Sequence, residues 1–165
     1  MLPAAHSEGP YRIALVCLGN ICRSPIADVV LNAKLAEAGL GELVVADSYG
    51  TGDWHVGDPM DKRAAAVLTQ HNYDATRHRA RQFPTAGTDH DLVLAMDADN
   101  LNDLGGETER TRLFRTFDPE PGDGMVPDPY YGGDDGFALV LRMIERTSDA
   151  LVEQIAATVE GSRLP

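Results

Sequence analysis

Hydrophobic and polar residues alternate along the chain in two patterns. Short runs dominated by apolar residues are typical of strands that are buried on both faces of a parallel sheet. Between them, apolar residues return every three or four positions, which indicates amphipathic helices. The predicted strands are residues 12–16, 43–47, 92–96 and 112–114. The predicted helices run from Pro25, behind a Ser24 N-cap, to a stop at Gly39, and over residues 61–71, 99–104 and 137–159.

The order of these elements predicts an α/β fold, a three-layer sandwich with a central four-stranded parallel sheet and helices on both faces. A chain of 165 residues has room for one domain. We therefore expect residues 1–10 to form a flexible N-terminal tail and residues 11–165 to form a single domain. Residues 120–136 are rich in Pro and Gly, which predicts a long loop, and such loops in compact domains are often functional.

Composition and charge narrow the choice of function. A formal net charge of −12 argues against a nucleic-acid partner, because such proteins place Lys and Arg on phosphates. No apolar run approaches the ~20 residues that span a bilayer. The first ten residues lack the basic stretch and apolar core of a secretory signal, and two cysteines are too few for a disulfide scaffold. We expect a cytoplasmic protein, with signal-less export as the alternative.

The candidate site follows the first strand, because ligands of α/β sheets bind at the carboxyl ends of the strands. A short loop between a strand and a helix N-terminus directs several backbone N–H groups to one point, which makes an anion site. Gly19 and Asn20 tolerate the left-handed backbone that such a loop needs, and the planar fork of Arg23 can hold two phosphate oxygens. The sequence there is Cys17-Leu18-Gly19-Asn20-Ile21-Cys22-Arg23-Ser24-Pro25.

Cys17 lies at the start of this loop. The helix dipole and the guanidinium that attract phosphate also favour a thiolate. The loop would thus bring an ionised nucleophile to a bound phosphoryl group. The alternative is that Cys17 is a small apolar core residue and Arg23 a surface residue.

Residues 16–25 resemble the signature loop of the low-molecular-weight protein tyrosine phosphatases, in their compact bacterial form. A second match is Asp128-Pro129-Tyr130-Tyr131-Gly132, and weaker ones are residues 51–57, 78–82 and 96–100. The resemblance covers nearly the whole domain in order and spacing. It implies hydrolysis of phosphotyrosine in a protein or peptide through a cysteinyl-phosphate, without a cofactor.

The resemblance also implies a role for each site residue. Cys17 would attack phosphorus, Arg23 would clamp the phosphate, and Asp128 would act as general acid and then as general base. From the residues alone, Asp128 in an Asp-Pro pair is more typical of a turn. The residues expected to bind phosphate are Leu18, Gly19, Asn20, Ile21, Cys22, Arg23 and Ser24.

Other residues would support these. Ser24 would donate its hydroxyl to the Cys17 thiolate besides capping the helix. Asn20 would hold a left-handed turn, tied by Ser48 and His78. Asp97 would brace the site by hydrogen bonding. The expected walls of the substrate pocket are Trp54, Tyr130 and Tyr131, with ordinary packing as the alternative for Trp54.

Cys22 and Tyr49 lie near the site, and the role of each is open. Cys22 could trap an oxidised Cys17 as a disulfide and so protect it reversibly, or it could be an inert buried thiol. Tyr49 stands where the family usually has a small residue after Ser48, which leaves the packing beside the loop open. We expect a monomer or a weak dimer.

Three rival functions remain. A protein arginine phosphatase has a similar loop but carries Thr at the position of Ile21 and lacks the paired tyrosines. A thioredoxin-coupled arsenate reductase needs further cysteines, and none follows Cys22. A non-catalytic phosphotyrosine-binding module would not need Cys17 and Asp128. The five histidines show no metal-ligand spacing.

Overall fold

The computed structural model describes residues 1–84 and 87–163. Within them the chain forms one parallel four-stranded sheet with the order β2-β1-β3-β4. The strands are β1 (Tyr11–Cys17), β2 (Val44–Gly50), β3 (Leu92–Ala95) and β4 (Thr111–Leu113). The helices are α1 (Arg23–Glu37), α2 (Lys62–Gln70), α3 (Ala98–Asp103) and α4 (Asp134–Arg163), and a 3₁₀ helix covers Phe114–Phe117. The predicted fold class is confirmed.

Alternate residues of β1 belong to two different cores, because successive side chains of a strand point to opposite faces of the sheet. Ile13, Leu15 and Cys17 join the large core, which is covered by α1, α2 and α4. Ala14 and Val16 join a small cluster on the other face. That cluster also contains Tyr49 and Val93, with Phe83 and Leu104 packed against it. The sheet is therefore the middle layer of three.

All four strands differ from their predicted bounds by one residue or more, and the differences in β2 and β4 are informative. β2 runs three residues past the predicted end at Asp47, because it pairs with β1 as far as Cys17 opposite Gly50. β4 ends at Leu113, and Phe114 opens the 3₁₀ helix. Polar residues at the end of β2 concealed its length from the apolar pattern. The extra residues carry β2 alongside the loop that follows β1.

Two helix boundaries are also informative. α4 begins three residues earlier than predicted, with Asp134 and Asp135 in its first turn, where carboxylates complement the helix dipole. The predicted stop of α1 is confirmed: Gly39 has a φ of 74°, and its amide donates to Ala36 O at 3.1 Å.

The predicted N-cap of α1 is wrong. The helix begins at Arg23, so Ser24 lies inside its first turn, and the N-cap residue Cys22 makes no side-chain cap. The Ser24 hydroxyl is instead 3.0 Å from Cys17 Sγ and accepts from Asn20. The side chain therefore serves the loop before the helix rather than the helix end.

Residues 1–10 contact the sheet at the N-terminal ends of its strands, where Asp91 precedes β3. The His6 amide donates to Asp91 Oδ1 at 2.7 Å, and the Tyr11 hydroxyl donates to Pro3 O at 2.9 Å. The flexible tail and the single-domain boundaries stay predictions, and residues 85, 86, 164 and 165 of the predicted domain lie outside the described residues. No helix among the described residues combines the length and apolar character needed to cross a membrane.

A buried carboxylate ties the 3₁₀ helix to α4. Asp118 accepts from Arg115 Nε at 3.0 Å and from Arg146 Nε at 2.7 Å, and its other partner is the Glu120 amide at 2.8 Å. Burial raises the pKa of Asp118, but the hydrogen bonds from Arg146, Glu120 and Arg115 outweigh burial and hold it well below its ordinary value. This cluster fixes the start of the long loop that precedes α4.

Replacing Asp118 with alanine should lower the free energy of unfolding at pH 7 by about 3–5 kcal/mol, because Arg115 is left buried without its carboxylate. The pKa of Asp118 is lower in the folded protein than in the unfolded chain. Its contribution to the free energy of unfolding is therefore complete at pH values above the unfolded-state pKa and is lost as the pH falls through the folded-state pKa. The difference in free energy of unfolding between the wild type and Asp118→Ala should therefore narrow below about pH 4.

Urea unfolding at several pH values measures this difference. The matched control is Asp123→Ala, which removes an exposed carboxylate 3.8 Å from the same Arg115 and should change the unfolding free energy little. Equal losses for the two variants would contradict the special role of Asp118.

Candidate active site

Cys17 is the last residue of β1 and is 3% exposed. We call residues 17–22 the cysteine loop; it leads directly into α1. The Asn20 amide donates to Cys17 Sγ at 3.3 Å, and Ser24 Oγ lies 3.0 Å from the same sulfur. Ser24 Oγ accepts from the Asn20 side chain at 2.8 Å, and its one hydrogen can point to Cys17 Sγ or to Tyr49 O, which lies 3.3 Å away. An ionised sulfur is the stronger acceptor of the two. Two donors can therefore stabilise negative charge on the sulfur.

Asn20 is the hub of the loop. Its φ of 57° is left-handed, and it is 1% exposed. Its side-chain nitrogen donates to Ser24 and Ser48, the latter at 3.1 Å, while its side-chain oxygen accepts from the Arg81 amide at 2.9 Å. Its carbonyl oxygen accepts from His78 Nε2 at 2.6 Å. Both ends of the amide and the main chain are thus fixed by other elements.

His78 is suited to this donor role. Burial lowers the pKa of His78; the bond to the Asn20 carbonyl raises it by less, and Arg81 and Arg79 lower it further. The ring is therefore neutral at pH 7, with the hydrogen on Nε2 that the carbonyl requires.

The network continues from Ser48 to a carboxyl group. The Ser48 hydroxyl donates to Asp28 Oδ2 at 3.0 Å, and Asn32 donates to Asp28 Oδ1 at 2.7 Å. Burial raises the pKa of Asp28 to about 6, although the hydrogen bonds from Ser48 and Asn32 oppose this rise. Because the Ser48 hydroxyl hydrogen is directed to Asp28, the Ser48 oxygen is free to accept a hydrogen bond from the side-chain amide of Asn20.

The cysteine loop packs closely against the end of β2. A Cβ on Gly50 would lie 2.8 Å from Leu18 O and 3.2 Å from the Asn20 nitrogen, so this position has no room for a side chain. Of the two residues expected to be left-handed, only Asn20 is. Gly19 has a different reason to be glycine, since a Cβ there would lie 3.2 Å from the ring of His55.

Arg23 lies behind the loop and is 3% exposed. Its Nη1 donates to Asp97 Oδ2 at 2.6 Å and to Val126 O at 3.0 Å, and its Nη2 lies 3.7 Å from Asp128 Oδ2. Burial lowers the pKa of Arg23, but Cys17, Asp97 and Asp128 together raise it above its ordinary value. The guanidinium is therefore a fixed, oriented cation.

One cavity of about 310 Å³ joins the distant motifs of the sequence. It is lined by Cys17, Leu18, Gly19, Ile21, Cys22, Arg23, Trp54, His55, Asp128, Tyr130 and Tyr131. The remaining predicted site residues hold its lining from behind; they are Asn20, Ser24, Ser48, His78 and Asp97. Within the described residues, the backbone N–H groups of Gly19, Ile21 and Cys22 make no hydrogen bond to the protein. They are available to an anion.

Aromatic rings form the mouth of the cavity. Trp54 is 69% exposed and Tyr131 93%, while Tyr130 contacts Tyr131 edge to face at 4.9 Å between ring centroids. A Cβ on Gly52 would lie 1.8 Å from the Trp54 ring, so the ring lies across the backbone of this glycine. Large exposed rings around a polar floor provide a surface for an aromatic ligand.

Asp128 and its neighbours form the opposite wall. We call residues 128–133 the aspartate loop. Asp128 Oδ1 accepts from the Tyr130 amide at 3.0 Å, and the side chain is 42% exposed. The carboxylate is thus open to solvent and close to Arg23.

Cys22 is the second cysteine at the cavity. Cys22 is 5% exposed, and burial, aided by the charges of Asp61, Cys17 and Asp128, raises the pKa of its thiol to about 12. It is protonated at pH 7. Within the described residues, no three His, Cys, Asp or Glu side chains cluster in a way that could hold a metal ion.

Tyr49 does not disturb the cysteine loop. It belongs to the small cluster on the other face of the sheet, where its ring contacts Phe83 edge to face at 5.4 Å. The Arg81 guanidinium covers the ring at 4.5 Å from the centroid. The large residue at this position is therefore accommodated away from the cavity.

Three contributors to the site were not predicted from the sequence. His55 lines the cavity beside Trp54, Arg81 binds Asn20 through its backbone amide, and Arg63 binds carbonyl groups of the aspartate loop. The position of His55 next to Trp54 was a usable signal. Arg81 acts through its own backbone amide and Arg63 binds backbone carbonyl groups, and neither kind of contact can be predicted from residue type.

The fold and the cavity define an α/β sandwich with a cysteine–arginine site at the end of its first strand. Residues 12–161 match the family described as low molecular weight phosphotyrosine protein phosphatase. The chain is 49% identical over 160 residues to a low molecular weight protein-tyrosine-phosphatase of Streptomyces coelicolor, covering 92% of this chain and 97% of the relative. The chain therefore belongs to the low molecular weight phosphotyrosine protein phosphatase family.

Other similarities agree with this assignment. Low molecular weight protein-tyrosine phosphatase A of Mycobacterium tuberculosis is 45% identical over 141 residues, covering 82% of this chain and 86% of the relative. A crystal structure of an Entamoeba histolytica protein tyrosine phosphatase matches with a TM-score of 0.83 at 30% identity, covering 89% of this chain and 97% of that chain. The Drosophila arginine phosphatase matches with a TM-score of 0.79 at 27% identity, covering 87% and 96%.

A methyl group at Gly50 should disrupt the cysteine loop, because it would meet Leu18 O at 2.8 Å. We expect Gly50→Ala to reduce phosphatase activity on an aryl phosphate by about 100-fold, the scale on which a 1 Å misplacement acts. Steady-state kinetics and phosphate binding by calorimetry measure the loss.

The matched control is Gly41→Ala. A Cβ there meets nothing closer than Ala36 Cα at 3.7 Å, an ordinary contact. Full activity in the Gly50 variant would show that the loop does not depend on this close approach.

Proposed function

We propose that this chain is a protein tyrosine phosphatase that hydrolyses phosphotyrosine in a protein or peptide, with Cys17 as nucleophile. The observation that carries the proposal is the single cavity lined by Cys17, Arg23 and Asp128, although these residues come from opposite ends of the chain. Family membership supports the same reaction. The aromatic mouth supports an aryl ester as the substrate.

The first step forms a cysteinyl-phosphate. The Cys17 thiolate attacks phosphorus in line with the tyrosine oxygen, the bond between phosphorus and that oxygen breaks, and Asp128 gives the leaving oxygen its proton. The amides of the cysteine loop and Arg23 hold the equatorial oxygens, where charge must be stabilised. The Ser24 hydroxyl, 3.0 Å from the sulfur, donates to it before attack.

The second step releases phosphate. Asp128, now ionised, takes a proton from a water molecule that attacks phosphorus on the side the tyrosine left. The bond between sulfur and phosphorus breaks and returns its electron pair to Cys17. Because Asp128 is half-exposed, water reaches it without a large rearrangement.

Arginine phosphatase activity is the second candidate, because the Drosophila arginine phosphatase has a similar structure. Three residues, Ile21, Tyr130 and Tyr131, favour phosphotyrosine over phosphoarginine. Ile21 lines the cavity where that enzyme class carries Thr, and the tyrosine pair provides a ring surface. A phosphotyrosine-binding module without activity would not need the nucleophile and the acid together.

We also infer a cytoplasmic protein that is a monomer or weak dimer and has no nucleic-acid partner. A net charge of −12 supports the last point, since it opposes binding to a polyanion. The two free thiols support a reducing environment.

Cys22 is the candidate for reversible protection of the nucleophile. A peroxide converts the Cys17 thiolate to a sulfenic acid; the Cys22 thiol then displaces water and forms a disulfide, which a dithiol reduces. The charge of Cys17 contributes to the raised pKa of Cys22. Oxidation removes that charge, so the second thiol becomes easier to ionise when it is needed.

Activity on an aryl phosphate should persist in the presence of a metal chelator, because no step uses a metal. Cys17→Ser should abolish it. Asp128→Asn should lower kcat by about 100-fold or more, the usual contribution of a general acid. Purified proteins and phenyl phosphate or phosphotyrosine peptides, whose leaving groups need a proton, are sufficient for the measurement.

The same assay separates the candidates. Hydrolysis of a phosphoarginine peptide in preference to its phosphotyrosine counterpart would reverse the choice between them. Binding of phosphotyrosine without turnover by the wild type would point to a binding module.

Peroxide should inactivate the wild type in a way that dithiothreitol reverses, and mass spectrometry should find a Cys17–Cys22 disulfide. The Cys22→Ser variant should lose activity irreversibly, because the sulfenic acid of Cys17 has no thiol to trap it and is oxidised further. Inorganic phosphate bound during treatment is the control and should slow the loss. Irreversible loss in the wild type without that disulfide would refute protection by Cys22.

A further inference from the structure

The aspartate loop has few attachments for a segment that must place a general acid. Every residue of the loop except Pro129 is exposed. Its internal hydrogen bonds are local: Tyr130 N to Asp128, and Gly132 N to Pro129 O at 3.0 Å. Upstream, the chain is fixed at Val126, and downstream at Phe137, which is 1% exposed.

Arg63 bridges this gap from α2. Its Nη2 donates to Tyr130 O at 2.8 Å and its Nη1 donates to Gly132 O at 3.1 Å. One backbone bond, from Gly136 N in the first turn of α4 to Gly133 O at 3.1 Å, also holds the end of the loop. Among the described residues, the two Arg63 bonds are the side-chain hydrogen bonds that reach residues 128–133 from another element. The guanidinium also covers the rings of Tyr130 and Phe137, at 5.6 and 4.7 Å from their centroids.

Arg63 is itself held in place. Its Nε and Nη2 donate to the two carboxylate oxygens of Asp61 at 3.2 and 3.1 Å. Asp61 is the N-cap of α2, and its backbone amide donates to Ile21 O in the cysteine loop at 2.8 Å. A continuous chain of hydrogen bonds therefore runs from the cysteine loop through Asp61 and Arg63 to the aspartate loop.

We infer that Arg63 is a positioning residue for the general acid: it sets the distance between Asp128 and the phosphate held by the cysteine loop. This inference rests on the proposed function. The two carbonyl groups that Arg63 binds follow Asp128 by two and four residues, so they fix the backbone that carries the carboxylate. Arg63 does not line the cavity, so it acts through the loop and not on the substrate.

This role predicts a dependence on the leaving group. A poor leaving group needs the proton from Asp128, whereas a good one departs without it. Arg63→Met should therefore lower kcat/KM for phenyl phosphate and phosphotyrosine about tenfold, but that for p-nitrophenyl phosphate by less than about twofold. Arg63→Lys keeps the charge but cannot span Asp61 and both carbonyls, so it should show the same selective loss.

A double-mutant cycle gives the sharper test. In the Asp128→Asn background, Arg63→Met should have no further effect on phenyl phosphate, because the group it positions is gone. The matched control is Lys62→Gln, which removes a positive charge from the exposed side of the same helix and should leave both substrates unaffected. Thermal unfolding of each variant establishes that it is folded.

The outcomes separate the inference from the proposed function. An equal loss on both substrates, or an undiminished effect of Arg63→Met in the Asp128→Asn background, would overturn the positioning role. If Arg63 supports only the aromatic wall, KM alone rises, which also overturns it. If the wild type hydrolyses none of these esters, or Asp128→Asn shows no leaving-group dependence, the proposed function itself fails.

Discussion

The left-handed backbone of Asn20 is the constraint on which the rest of the site depends. A turn of this hand is costly for a residue with a side chain, and here it is held by contacts from four directions: Ser24, Ser48, His78 and the Arg81 amide. The turn brings the Asn20 amide to Cys17 Sγ and leaves neighbouring amides unpaired. Because all of these partners belong to the protein itself, the shape of the loop does not depend on contacts with a ligand.

An acidic protein can hold an anion here because the local charge differs from the overall charge. Arg23 is buried between two carboxylates, at 2.6 Å from Asp97 and 3.7 Å from Asp128. The shorter contact orients the guanidinium, while the longer one leaves Nη2 free to exchange its partner. A bound phosphate dianion would compete with Asp128 for that nitrogen. Short-range geometry outweighs the distant field because solvent screens the surface charges.

The sequence predicted those features that depend on neighbouring residues. A buried strand, a short loop and a helix start lie within fifteen residues, so Cys17 and Arg23 could be paired from spacing alone. Asp128 and Asp97 could be assigned only by resemblance, because nothing local links them to Cys17. Helix capping by Ser24 was predicted wrongly, since residue type cannot reveal that a tertiary partner takes the hydroxyl. Contacts to backbone carbonyls, such as those of Arg63, leave no pattern in the sequence at all.

The two halves of the site differ in rigidity for a physical reason. The cysteine loop must present several hydrogen-bond donors to a phosphate dianion at fixed distances. Each donor that had to be ordered on binding would reduce the affinity for phosphate. Most residues of the cysteine loop are accordingly buried, and its hub residue Asn20 is 1% exposed. In the proposed mechanism Asp128 must instead admit a large aryl ester, give up a proton and then activate water, which a fully enclosed carboxyl group could not do. An exposed loop held by a few side-chain contacts satisfies both needs, because weakly held segments can open locally while the core stays folded.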